Sequence, residues 1–277
     1  MISSSMFSSR LRQPAALLLG VALLAGCSST KEPEPYVERP VEQLYNEAHA
    51  QLENKEYETA AKSFDEVERQ HPYSPWATRA KLMSAYAHYQ SLHYDDAVVE
   101  LERYIQLHPG SEDIAYAYYL RALCFYEQIT DVKRDQKITK VAMDDLQEVI
   151  RRFPNTEYAR DAQLKYDLTV DHLAGKEMDI GRWYLRQGQY QAAIGRFNEV
   201  IKKYQTTSHV PEALHRLVEA YLSIGLRQEA ERTATVLGAN FPGSTWYQDS
   251  YALLRDPKWR TESDEGFFSR AWNSIVN

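Results

Sequence analysis

RRFPNTEYA, residues 151–159, is a helix-like basic stretch that halts on Phe-Pro and restarts behind a threonine. The same punctuation recurs as HPYSP from His71, HPGSE from His108 and FPGST from Phe241, and YQTTS from Tyr204 keeps the aromatic and hydroxyl residues without the proline. Proline biases the residue before it away from the α region, and a following Ser or Thr can cap the next helix, so each copy reads as a stop followed by a start. A recurrent stop predicts a recurrent unit.

Twelve residues before the stops stand Ala60, Ala97, Ala142, Ala193 and Ala230, counted from Pro72, Pro109, Pro154, Gln205 and Pro242. Four and seven residues after each alanine come Phe64 and Val67, Leu101 and Tyr104, Leu146 and Val149, Phe197 and Val200, Ala234 and Leu237, one apolar helix face repeated five times. Each is the second helix of a unit. Twelve residues upstream, Ala48, Ala85, Gly181 and Val218 mark a first helix; in the third unit Ala122 lies twenty residues upstream, which implies an eight-residue insertion. Helix, tight turn, helix and stop at these offsets resemble the tetratricopeptide repeat. The fold expected is an all-α solenoid of about five such units, although the stop-to-stop spacings of 37, 45, 51 and 37 exceed the usual length of roughly 34.

The remaining segments read differently. Arg10 and Arg12 precede PAALLLGVALLAG, which has the length of a signal peptide core, and the run ends in Leu24-Ala25-Gly26-Cys27, similar to a bacterial lipobox. That resemblance implies cleavage before Cys27 and diacylglyceryl and N-acyl lipid on Cys27, and Ser28 in the next position implies the outer membrane; no cofactor besides this covalent lipid is expected. Several acyl chains on one residue anchor stably. Residues 27–40 form a Pro-rich tether, 41–255 the repeats, and 256–277 a tail in which Phe267, Phe268, Ala271, Trp272 and Ile275 suggest a short amphipathic helix. The formal net charge is −7, and −9 once the two arginines of residues 1–26 are gone, which argues against nucleic acid.

Two surfaces carry candidate contacts. Positions offset by −3, +1 and +4 from the small residue of each first helix should face the inside of a solenoid. In the first three units these include Tyr45, Tyr86, Tyr89, Tyr119 and Tyr126, with Tyr116 one turn before Tyr119, a tyrosine-rich groove suited to an extended peptide with aromatic side chains. The insertion ITDVKRDQKITK offers Lys133, Arg134 and Asp135, and only the fourth unit places a cation, Arg196, three residues after its alanine.

Catalytic signatures are missing: no phosphate-binding loop, dinucleotide fingerprint, HExxH or GxSxG occurs. His88 and His93 are five apart and His209 and His215 six apart, unlike the i, i+4 pair that shares one helix face, so no metal is expected. Cys124 lies among apolar residues and reads as a small core side chain. An enzyme is not expected.

The stretch from HPYSPW to KRDQ, and YYLR…YEQI…RDQ above all, resembles the BamD (ComL) outer-membrane lipoproteins, the likeness running from about Glu42 to Asp249. The resemblance implies a lipid-anchored component of the β-barrel assembly machine on the periplasmic face of the outer membrane. It implies C-terminal repeats that dock a periplasmic domain of BamA, N-terminal repeats that receive unfolded barrel proteins, and further lipoprotein partners. Because YQAAIGRFNEVI matches the family's fourth unit, it also makes Arg196 the leading contact for BamA. The rival reading is a repeat lipoprotein of pilus or cell-envelope complex assembly, which should show more regular units and no insertion.

Overall fold

A computed structural model describes residues 38–256 and 258. The signal segment, Cys27, most of the tether and the tail residues Phe267 to Ile275 lie outside the described residues. The helices belong to the compact unit that begins at Pro40. They are α1 Val41–Glu53, α2 Tyr57–Gln70, α3 Pro75–Gln90, α4 Tyr94–Leu107, α5 Ile114–Tyr126, α6 Lys137–Arg152, α7 Glu157–Arg186, α8 Tyr190–Lys203, α9 Val210–Ser223, α10 Arg227–Asn240 and α11 Thr245–Arg255. Among the described residues there is no strand, and no helix is long and apolar enough to cross a membrane.

Each stop closes an even-numbered helix in one conformation. His71, His108, Phe153, Tyr204 and Phe241 all have φ between −127° and −135° and ψ between 46° and 58°. Their amides donate back to the carbonyls of Val67, Tyr104, Val149, Val200 and Leu237, the last residues of the apolar stripe. Tyr204 adopts this conformation in front of Gln205, so the proline reinforces a stop that the fold also makes without it. The hydroxyl residues take two roles: Ser74, Thr156 and Ser244 accept from the amides of Trp76, Ala159 and Trp246 at 3.2 Å and cap the next helix. Ser111 pairs with the Tyr104 hydroxyl at 2.7 Å, and Thr156 and Thr207 donate to the Phe153 and Tyr204 carbonyls at 2.8 Å, so these three hold the stop itself and Thr156 does both.

The turns inside the units share one geometry as well. Lys55, Leu92, Gly188 and Gly225 have φ of 64°, 64°, 70° and 78°. In each, the next amide reaches back over the turn, as from Glu56 to the Gln51 carbonyl and from His93 to the His88 carbonyl, both at 2.9 Å. These are left-handed helix ends closed by a return bond between residues five apart.

The repeat alanines Ala60, Ala97, Ala142, Ala193 and Ala230 are all fully buried, and so are Ala48, Ala85, Ala122 and Val218 on the first helices. Gly181 shows why that position is small, since a Cβ there would come within 2.5 Å of the Phe197 ring. The core is a string of apolar clusters, one for each junction between units, and not a single centre. Neighbouring helices pack in chain order, and each odd helix from α1 to α11 also touches the next odd one. No comparable contacts join the even helices, so the odd ones line the inner side of the array. Among the described residues helix α11 is a first helix without a second, and its Trp246, Tyr247, Leu253 and Leu254 pack on the last two apolar clusters.

Candidate functional site

The inner face between α3 and α7 is paved with half-buried tyrosines. Tyr89 lies 5.8 Å from Tyr94, and Tyr158 of α7 lies 5.5 Å from Tyr116 and 5.4 Å from Tyr119, all between ring centroids. Gln90 donates to the Tyr86 hydroxyl at 2.7 Å. Tyr119 donates to Asp161, which also holds Lys165 at 2.6 Å, and the same Lys165 ammonium stands over the Tyr126 ring at 5.7 Å. Burial first, then Glu127 and neighbouring tyrosines, pushes the Tyr89 hydroxyl up to about 12. Burial likewise raises Tyr116, and burial with the Asp161 bond raises Tyr119. These hydroxyls therefore stay protonated and offer neutral donors and acceptors beside apolar ring area.

Tyr45 is a correction. It shares the repeat offset of Leu82 and Tyr119, yet it is 8% exposed and its ring lies 5.5 Å from Phe64 and 4.8 Å from Trp76. Its ring fills the junction between α1, α2 and α3 and leaves almost no surface for a peptide. Tyr158, Asp161 and Lys165 complete the aromatic surface and escaped the sequence reading because they sit on the extended part of α7, outside the repeat offsets.

The second surface gathers candidates that the sequence treats separately. Lys133, Arg134 and Asp135 line a cleft of about 320 Å³ together with Lys140 of α6, Lys176 and Glu177 of α7, and Tyr204. Glu177 also accepts from Arg196 Nη1 at 3.0 Å, so one carboxylate joins the cleft to the fourth-unit arginine. Arg196 is thus paired yet remains 42% exposed at its side chain. The insertion is an organised loop wound around Gln136, whose buried amide donates to the carbonyls of Asp131, Val132 and Arg134 at 3.3, 3.4 and 3.0 Å. Asp135 accepts from the Lys137 amide at 3.0 Å and so helps to start α6. Lys176 donates to the Lys133 carbonyl at 3.0 Å, and Gly175 gives Val132 and His209 room to approach α7. Nothing in the local sequence singles out Gln136 or Glu177; their roles arise from loop closure across two units.

Burial pushes the Cys124 thiol up to about 12, so it stays a protonated core side chain.

Five helix-turn-helix units at these offsets and a closing helix make this a tetratricopeptide-type repeat protein. The chain belongs to the family described as "Outer membrane lipoprotein" (YfiO), which matches residues 37–237. An "Outer membrane protein assembly factor BamD" of Caulobacter vibrioides is 53% identical over 252 residues, covering 90% of this chain and 83% of that protein. The protein of the same name from Rickettsia prowazekii is 48% identical over 242 residues, 87% of this chain and 96% of that one. Its namesake in Neisseria meningitidis serogroup A is 34% identical over 256 residues, again 87% and 96%.

Proposed function

We propose that this chain is a non-enzymatic scaffold for the assembly and insertion of β-barrel proteins into the outer membrane, held on the periplasmic face by lipid on Cys27. Membership in the outer membrane lipoprotein family and the assembly-factor name of its relatives support this reading. The observation that carries the division of labour is the separation of two chemically distinct surfaces. Half-buried tyrosines on α3, α5 and α7 suit the aromatic side chains of an unfolded barrel strand. The ionic cleft at α6, α7 and α8, with Arg196 at its edge, suits a folded partner that offers carboxylates and carbonyls, namely a periplasmic domain of BamA. Other assembly-machine lipoproteins would bind elsewhere on the array or on the tail.

The partner must take Arg196 from Glu177, so the guanidinium is a pre-positioned group exchanged between two carboxylates. Titration of a purified BamA periplasmic domain onto the chain tests this. Arg196→Glu should weaken binding at least about tenfold, roughly 1.4 kcal/mol, while Tyr89→Ala leaves it unchanged. Equal affinity for Arg196→Glu and wild type would contradict the assignment of this edge.

A further inference from the structure

We propose that His88, His93 and Asp96 form a binding site for a divalent transition-metal ion of the zinc type at the turn between α3 and α4. Within one helix, residues five apart point to different faces, which is why the sequence alone gives no metal pair here. The turn removes that obstacle. His88 lies in the last turn of α3, His93 immediately before α4, and Asp96 in the first turn of α4. Leu92, at φ 64°, reverses the chain between them. One ligand atom from each of the three side chains then lies within 4.8 Å of the others, and the two rings stand 6.4 Å apart.

The donor set selects the ion. Two imidazoles and one carboxylate match zinc, nickel or copper, whereas calcium and magnesium favour oxygen ligands throughout. Metal–nitrogen bonds of about 2.0–2.1 Å require the ligand atoms to close to roughly 3.4 Å. His93 and Asp96 are exposed and can supply that movement by side-chain rotation.

A second observation is compatible with this. His88 Nδ1 is buried without a hydrogen-bond partner among the described residues, so no protein group competes for that ring nitrogen. The Ser91 hydroxyl lies 3.3 Å from His93 Nδ1 and steadies that ring as an outer partner steadies a metal-binding histidine. Three protein ligands leave a fourth position for water. An ion held there fastens the end of α3 to the start of α4 and fixes the hairpin that presents Tyr89 and Tyr94.

The test is calorimetric titration of zinc chloride into the untagged, metal-stripped full chain in detergent. Binding of one ion per chain is expected, accompanied by a rise in thermal midpoint. His93→Ala and Asp96→Asn should each weaken it at least about tenfold, while His49→Ala should leave it intact. Neither exposed substitution removes a helix cap, since the His93 side chain makes no cap bond, and circular dichroism checks that both variants are folded. Cobalt in place of zinc should give the visible absorption of a tetrahedral site that both variants lose. Absence of saturable binding, or binding unchanged in both His93→Ala and Asp96→Asn, overturns the proposal.

Discussion

Leu92 is 69% exposed and sits at φ 64°, a region that costs a residue with a Cβ about 1–2 kcal/mol. Gly188 and Gly225 occupy the equivalent turns without that cost. Leu92→Gly should therefore stabilise the chain by about 0.5–1 kcal/mol once the extra unfolded-state entropy of glycine is subtracted, read as a higher urea midpoint at unchanged slope. Gly181 lies at the opposite extreme. A Cβ there meets the Phe197 ring, which is fully buried at the junction of α7 and α8, so Gly181→Ala should destabilise by about 1–3 kcal/mol in the same measurement. The offset rule in the sequence locates Gly181 and Phe197 correctly, because a fixed periodicity determines which helix faces meet. It does not separate Tyr45 from Tyr89. Both lie on the inner stripe of a first helix, but Trp76 covers only Tyr45, and that contact crosses a unit boundary that periodicity does not describe.

Among the elements, α7 departs most from the repeat. It has 30 residues against 16 in α3, fourteen more, which is the excess of the 51-residue spacing over 37. The sequence shows the excess but not its form. No proline interrupts residues 157–186, and Gly175 and Gly181 are kept small by neighbours rather than by a turn, so the extra length continues as helix. That length brings Tyr158, Asp161 and Lys165 to one surface and Lys176 and Glu177 to the other.

The junction of α9 with α11 carries a pH dependence. Buried His215 hydrogen-bonds through Nδ1 to Ser250 Oγ at 2.8 Å and its ring lies 5.2 Å from that of Trp246, with Glu212, Arg216 and Glu219 on its own helix and Asp249 on the facing one. Burial pushes the imidazole below its ordinary 6.5, Arg216 adding to the shift and Glu219 opposing it. The unfolded chain then takes up the proton first. Stability is fully present above about pH 6.5 and is lost as pH falls below it. His215→Gln keeps a polar partner for Ser250 without titrating, and should lose less stability than wild type between about pH 7.5 and 5.5 in urea unfolding. The comparison isolates His215 from His108, whose imidazole is also depressed by burial.

At the scale of the molecule, the odd helices form a continuous inner layer, so units stacked by nearest-neighbour contacts hold two surfaces at a fixed separation. The tyrosines of α3, α5 and α7 and the cleft between α6 and α8 share α7, which continues from one surface to the other without a break. The proposed scaffold, with an unfolded strand on one surface and a folded partner on the other, would have both surfaces on one continuous helix. The most direct measurement is photo-crosslinking in living cells, with a photoreactive residue at Arg196 in one strain and at Tyr89 in another. A single large barrel protein captured at Arg196, and a mixture of unfolded barrel precursors captured at Tyr89, is the predicted result. Capture of the same protein at both positions, or of pilus or cell-wall proteins at either, would contradict a bipartite scaffold for barrel assembly.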